Sequence, residues 1–367
     1  MKFAICLLPL VLACDSESSG SMAAWTATEG SSADANDTGG SADTGTENGG
    51  EEDGQTRSAG DEGPGDEGPG DDGTTDHTGS EEDDTGSEED GPDGGGDPNC
   101  YTEPLFPDVA VDDIVATYGG GGYKDQVIAA MGRRWPAGAY LLQAQIGDPY
   151  WAQFSDPNSW SGMVDWLDTL VHEQTHLFNG NYANSGGLPH ALYFREDKIV
   201  TLPADQGFAR SEIMQHLIPE VAASTYASTY LVGSQGARLF NPLLDEATAY
   251  ANEVAGLAVF GEYFDGLGVS LRDGSAAFLY FIEVYLRVGR TEHPEWYRWA
   301  QSQDGYLEAV ELLWLRTHFF YEQVADAYPQ LGISDTTYRA AAYEADNLAE
   351  LAMFTGKSFD DSSCVVR

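Results

Sequence analysis

The stretch Thr169-Leu170-Val171-His172-Glu173-Gln174-Thr175-His176-Leu177-Phe178 decides how the rest of this chain is read. Around it Met163, Leu167, Leu170, Val171 and Phe178 recur at three- and four-residue spacing, the mark of a buried helical face. The pattern predicts a helix from about Trp160 to Phe178, with Asn179-Gly180 as its stop signal. On such a helix His172 and His176 lie one turn apart on one face, so both imidazoles can be aimed at a single metal ion. Glu173 stands about 100° round from His172. It is close enough to reach a water on that ion without being a ligand itself.

This decapeptide resembles the active-site helix of the zincin metallopeptidases. Thr169 stands three before the first histidine, Leu170, Gln174, Thr175 and Leu177 are uncharged, no proline intervenes, and apolar Phe178 lies two after the second histidine. The resemblance implies an α+β, mostly helical, zincin-like domain: a small N-terminal β-sheet, the active-site helix, then a helical lobe. It also implies one Zn²⁺ held by His172, His176 and a third protein ligand, with Glu173 as general base. The metzincin extension of the motif is missing, because Asn179 and Tyr182 stand where it requires glycine and histidine. The gluzincin alternative takes a glutamate from a later helix, and Asp245-Glu246-Ala247-Thr248-Ala249-Tyr250 is similar to that segment. Glu246 is the expected third ligand, with Glu253, seven residues on along the same helical face, and His190 as alternatives. Since 69 residues separate His176 from Glu246, a hairpin and two helices are expected as an insertion. Asp245 and Glu253 are candidates to orient the ligating histidines. Tyr250 is the candidate donor to a tetrahedral oxyanion, a role also open to His190, His216 and Tyr230.

Away from the motif the chain reads as follows. Ala139 to Ile146 has strand character before the Gly147-Asp148-Pro149 turn, and is the edge along which an extended substrate would pair. Ala191 to Arg195 and Lys198 to Leu202 flank Glu196-Asp197 as a hairpin. Helices are expected over Ser211 to Leu217, Glu220 to Leu231, Asn241 to Phe260, Ser275 to Val288, Tyr306 to Ala327 and Thr336 to Phe354. Asn241-Pro242 supplies an N-cap and a first-turn proline for the third of these. The aromatic groups Trp296 to Trp299 and Trp314 to Tyr321 read as core, and His293 and His318 have no partner spacing.

The first hundred residues have a different character. Residues 1–13 carry Lys2, then the apolar run Phe3 to Ala13, a signal-peptide pattern too short to span a bilayer as a helix. Val11-Leu12-Ala13-Cys14 resembles a bacterial lipobox, which implies lipidation of Cys14 and a protein exported and anchored to a membrane or cell surface. Residues 14–99 hold 26 of the 61 acidic residues and one base, Arg57, and have little to bury. They are expected to form a disordered, self-repelling acidic stalk. Residues 100–367 form one folded domain, still acidic at 35 acids against 15 bases. That balance disfavours nucleic acid and anionic lipid as partners and leaves the lipid anchor as the membrane contact. Cys100 and Cys364 bracket the domain and are expected to pair outside the cytoplasm. The function expected is hydrolysis of a peptide or protein substrate. The alternative is a surface binding or adhesion lipoprotein that keeps the fold without the chemistry.

Overall fold

The computed structural model describes residues 101–264, 271–331 and 335–359. The signal peptide, Cys14, the acidic stalk and the expected Cys100–Cys364 pair lie outside the described residues.

Among the described residues the fold is α+β and mostly helical, with a single two-stranded hairpin as its sheet. α1 (Asp112–Val115), α2 (Tyr123–Arg134) and α3 (Pro136–Ala144) lead to α4 (Trp160–Gly186), the helix that carries the two histidines. β1 (His190–Arg195) and β2 (Lys198–Leu202) pair antiparallel, with His190 opposite Leu202, as the sequence predicted for a hairpin here. A 3₁₀ segment, Arg210–His216, and the short helices α5 (Pro219–Ala222), α6 (Thr225–Tyr230) and α7 (Gly233–Gly236) fill the expected insertion. α8 (Phe240–Phe260), α9 (Leu271–Glu292), α10 (Pro294–Gln301), α11 (Asp304–Ala327), α12 (Asp335–Ala342) and α13 (Ala345–Thr355) complete the helical lobe.

Three expectations are corrected. The stretch Ala139 to Ile146 is helical in α3, not a strand, and the sheet follows the histidine helix instead of preceding it. Pro136 at the first turn and burial of Ala137, Leu141 and Leu142 at helical spacing explain the outcome. At Gly138 even a methyl group would strike the Trp135 ring at 2.1 Å, so α3 packs back on its own leading tryptophan. The proposed substrate-pairing edge is therefore absent. The second correction concerns α4, which runs through Asn179-Gly180 and ends only at Gly187, whose φ of 61° is the left-handed cap expected of glycine. The third is that the expected helices 220–231 and 336–354 are each split into two, with α10 standing where only core aromatics were expected.

α8 organises the core. From Leu243 to Phe260 every side chain except Asp245 is buried, so the helix is enclosed on all sides, against α4, α11 and α9. Leu243, Leu244, Ala247 and Tyr250 belong to the apolar cluster built on α9, α11 and the hairpin. Val254, Leu257, Val259 and Phe260 belong to the second cluster, with α2, α3 and α4. The polar residues of α8 lie at the seam between the two clusters. No helix among the described residues is long and apolar enough to cross a membrane.

Candidate metal centre

α4 and α8 cross so that three donor atoms meet. His172 Nε2 and His176 Nε2 are 3.1 Å apart, and Glu246 Oε2 lies 3.6 Å from the first and 3.5 Å from the second. Ligand atoms held about 2.0–2.1 Å from a tetrahedral zinc are roughly 3.3 Å from one another, so the triangle has the right size. The donor set of two imidazole nitrogens and one carboxylate oxygen is also a zinc set. Glu246 is 4% exposed and its Oε2 is buried with no hydrogen-bond partner, an expensive position for a carboxylate unless a cation completes it. The buried group His172, His176 and Glu246 can therefore hold a metal ion.

The far sides of both imidazoles are held as well. His172 Nδ1 is 3.0 Å from Glu253 Oε2, and His176 Nδ1 is 2.6 Å from Asp245 Oδ2. Both carboxylates come from α8, as does Glu246, so one helix supplies the third converging donor and holds the far sides of the other two. Glu253 therefore stands behind His172 and is not among the converging ligand atoms. His190, the other alternative, is also not among them: its Nε2 lies 3.9 Å from Asp245 Oδ1, on the outer side of that carboxylate.

The electrostatics favour positive charge at the meeting point. Burial opposes a charged His172, but the adjacent Glu246 carboxylate and the hydrogen-bonded Glu253 outweigh it and push the imidazole up to about 10. Burial likewise disfavours the Glu246 carboxylate, yet the nearby charges of His176 and His172 hold it well below its ordinary range. Asp245 is lowered for the same reason, burial being outweighed by His176. Burial raises Glu253, and His172 offsets only part of that rise.

Glu173 is 6% exposed, and among the described residues its carboxylate makes no hydrogen bond or ion pair. Tyr250 packs edge-on against the His172 ring, with centroids 4.9 Å apart, and its hydroxyl is 3.1 Å from that of Tyr230. Burial, then the neighbouring Tyr230 and Glu253, lifts its phenol well above 10, so it remains a proton donor. The structure does not bring His216 to this group; it pairs with Glu292 at 2.9 Å. His293 stacks on Phe208, His318 on Trp314, and the aromatic runs of α10 and α11 pack into the core, as expected.

Two contributors were not foreseen. Asn179, expected to end the helix, donates to Asp245 Oδ1 at 2.6 Å and accepts from the Tyr193 N–H at 2.7 Å, tying α4, α8 and β1 together. Its spacing of three from His176 was the available signal. Asp168, one turn before His172, is buried, and burial followed by the charge of Glu253 pushes its carboxyl up to about 7. An acid in an otherwise apolar helical face was the clue to it.

Comparison with protein-family models, with curated proteins and with solved structures finds no match to this chain.

Proposed function

We propose that this chain is an exported, lipid-anchored zinc metallopeptidase of gluzincin-like design, acting on peptide or protein substrates. The observation that carries the reading is the convergence of His172 Nε2, His176 Nε2 and Glu246 Oε2 within 3.1 to 3.6 Å of one another, beside an unpaired, buried Glu173. A bound zinc supplies Lewis acidity, polarising a carbonyl and bringing a water's pKa towards 7. Glu173 accepts the proton of the attacking water and returns it to the departing amine. Asp245 and Glu253 fix the tautomers of His176 and His172, so that each Nε2 keeps its lone pair for the metal. Tyr250, held protonated and packed edge-on against His172, is the candidate donor to an oxyanion.

The discriminating variant is Glu173→Gln. It should keep about one zinc per chain while peptide hydrolysis falls by about 10²- to 10⁴-fold. Full activity in that variant would sink the mechanism. Burial of His172 and Glu246, with His176 only partly exposed, favours one other reading, a binding or adhesion protein whose metal is structural. Zinc-loaded wild type that cleaves nothing in a broad peptide library would select it.

A further inference from the structure

The metal-bearing helices are joined behind the site by a chain of buried polar groups. Arg316 on α11 is fully buried and forks onto Glu103, Nε to Oε2 at 2.8 Å and Nη2 to Oε1 at 3.2 Å. Its Nη1 donates to Asn252 Oδ1 at 2.6 Å, and Asn252 Nδ2 donates to Thr175 Oγ1 at 3.0 Å. Thr175 in turn donates to the Val171 carbonyl at 2.8 Å. Glu103 is held from its other sides by Trp135 Nε1 and the Tyr101 hydroxyl, each at 2.5 Å. Every link from Glu103 to Thr175 is buried.

We propose that Glu103, Arg316, Asn252 and Thr175 form a strut that sets the register of α4 on α8 and thereby the affinity of the metal site. The proposal rests on the metal reading above and concerns positioning residues, none of which touches the ion. The endpoints carry the argument. Thr175 lies between Glu173 and His176 on α4, and Asn252 lies beside Glu253 on α8. All three candidate ligands and both histidine-orienting carboxylates therefore sit on the two helices that the strut joins.

Apolar packing alone would leave this register loose. On the face of α8 turned to α4, helical spacing puts Ala249 between the pairs Asp245/Glu246 and Asn252/Glu253, a small residue that offers only smooth, non-directional contact. Ligand atoms must be placed to within about 0.2 Å, a tolerance that directional hydrogen bonds can enforce. The strut is also a poor device for stability alone, because desolvating a buried ion pair can cost more than its attraction returns. Its presence is better explained by the geometry it imposes.

Thr175→Val removes the hydroxyl at nearly constant shape. In the full chain, zinc affinity measured by competition with a chromophoric chelator should weaken by about 10- to 100-fold. The absorption bands of the cobalt-loaded protein should shift, while Thr175→Ser restores both. Arg316→Lys keeps a charge on Glu103 but loses the fork that reaches Asn252, and should weaken zinc in the same way should the valine variant not fold. Thr175→Val protein that binds zinc as tightly as wild type, with only its metal-free melting temperature lowered, overturns the strut and leaves the metal site standing. Wild type that takes up no zinc sinks the metal reading, and the strut with it.

Discussion

α8 and α9 both bury glutamates, and their fates differ. On α8, Glu246 and Glu253 face histidines at 3.0 to 3.6 Å, and the oxygen left without a partner points to where three donors meet. On α9, Glu283 is fully buried and neither of its oxygens has a partner. The Trp314 indole N–H faces it without completing a hydrogen bond. Burial lifts its carboxyl well above 4.5, Arg287 offsets this in part, and Glu344 adds to it. A buried acid is therefore not in itself a sign of a site. What marks one is convergence: several donors on different elements meeting at one point, the histidines among them supported from behind.

That contrast can be broken most sharply at Glu246. Glu246→Gln keeps the shape of the side chain but replaces a carboxylate with a weakly ligating amide. Zinc affinity should fall by more than the roughly 100-fold that a supporting residue costs at most, read by metal content after dialysis. Retention of one tightly bound zinc would remove Glu246 from the ligand set and return Glu253 to it. Glu253→Gln should have the intermediate effect, about 10- to 100-fold in affinity, because the amide can still accept from His172 Nδ1 but without charge. A loss as large as that of Glu246→Gln would mean that the two glutamates share the metal.

Much of this site was legible because its chemistry is local. His172, Glu173 and His176 follow from one helical turn, and Glu246 was expected from the likeness of Asp245 to Tyr250 to a gluzincin segment on the helix opened by Asn241-Pro242, although α8 in fact starts one residue earlier and Asn241 is bonded to Pro203 and Tyr306. The roles of Glu246 and Glu253 were harder to separate. They share a face two turns apart, about 10 Å along the axis, and only the crossing with α4 decides which is level with both histidines. α3 was misread for a physical reason too: a short apolar run bounded by glycine and proline fits a buried strand as well as a buried helix. Asn179-Gly180 looked like a stop because sequence could not show that the Asn179 amide is engaged by Asp245 and β1. The strut was invisible for the same reason, since it joins residues 103, 175, 252 and 316 across the whole domain.

The smallest effect is expected at Glu283, and its sign is the informative part. A folded-state pKa raised above 4.5 means that the native chain keeps a proton which the unfolded chain releases. Stability from this residue is therefore complete below about pH 4.5 and declines as pH rises towards the raised value. Glu283→Leu removes both the proton linkage and two unpaired polar atoms from a position enclosed by α9 and α11. At pH 8 it should stabilise the protein by about 1 to 3 kcal/mol, and by less at pH 4.5, measured as melting temperature across that range in metal-free protein. Zinc affinity should not change. A leucine variant that melts lower at pH 8, or that loses zinc, would show that Glu283 has a partner or a role that its surroundings do not reveal. The distinction between the two helices would then rest on the metal alone.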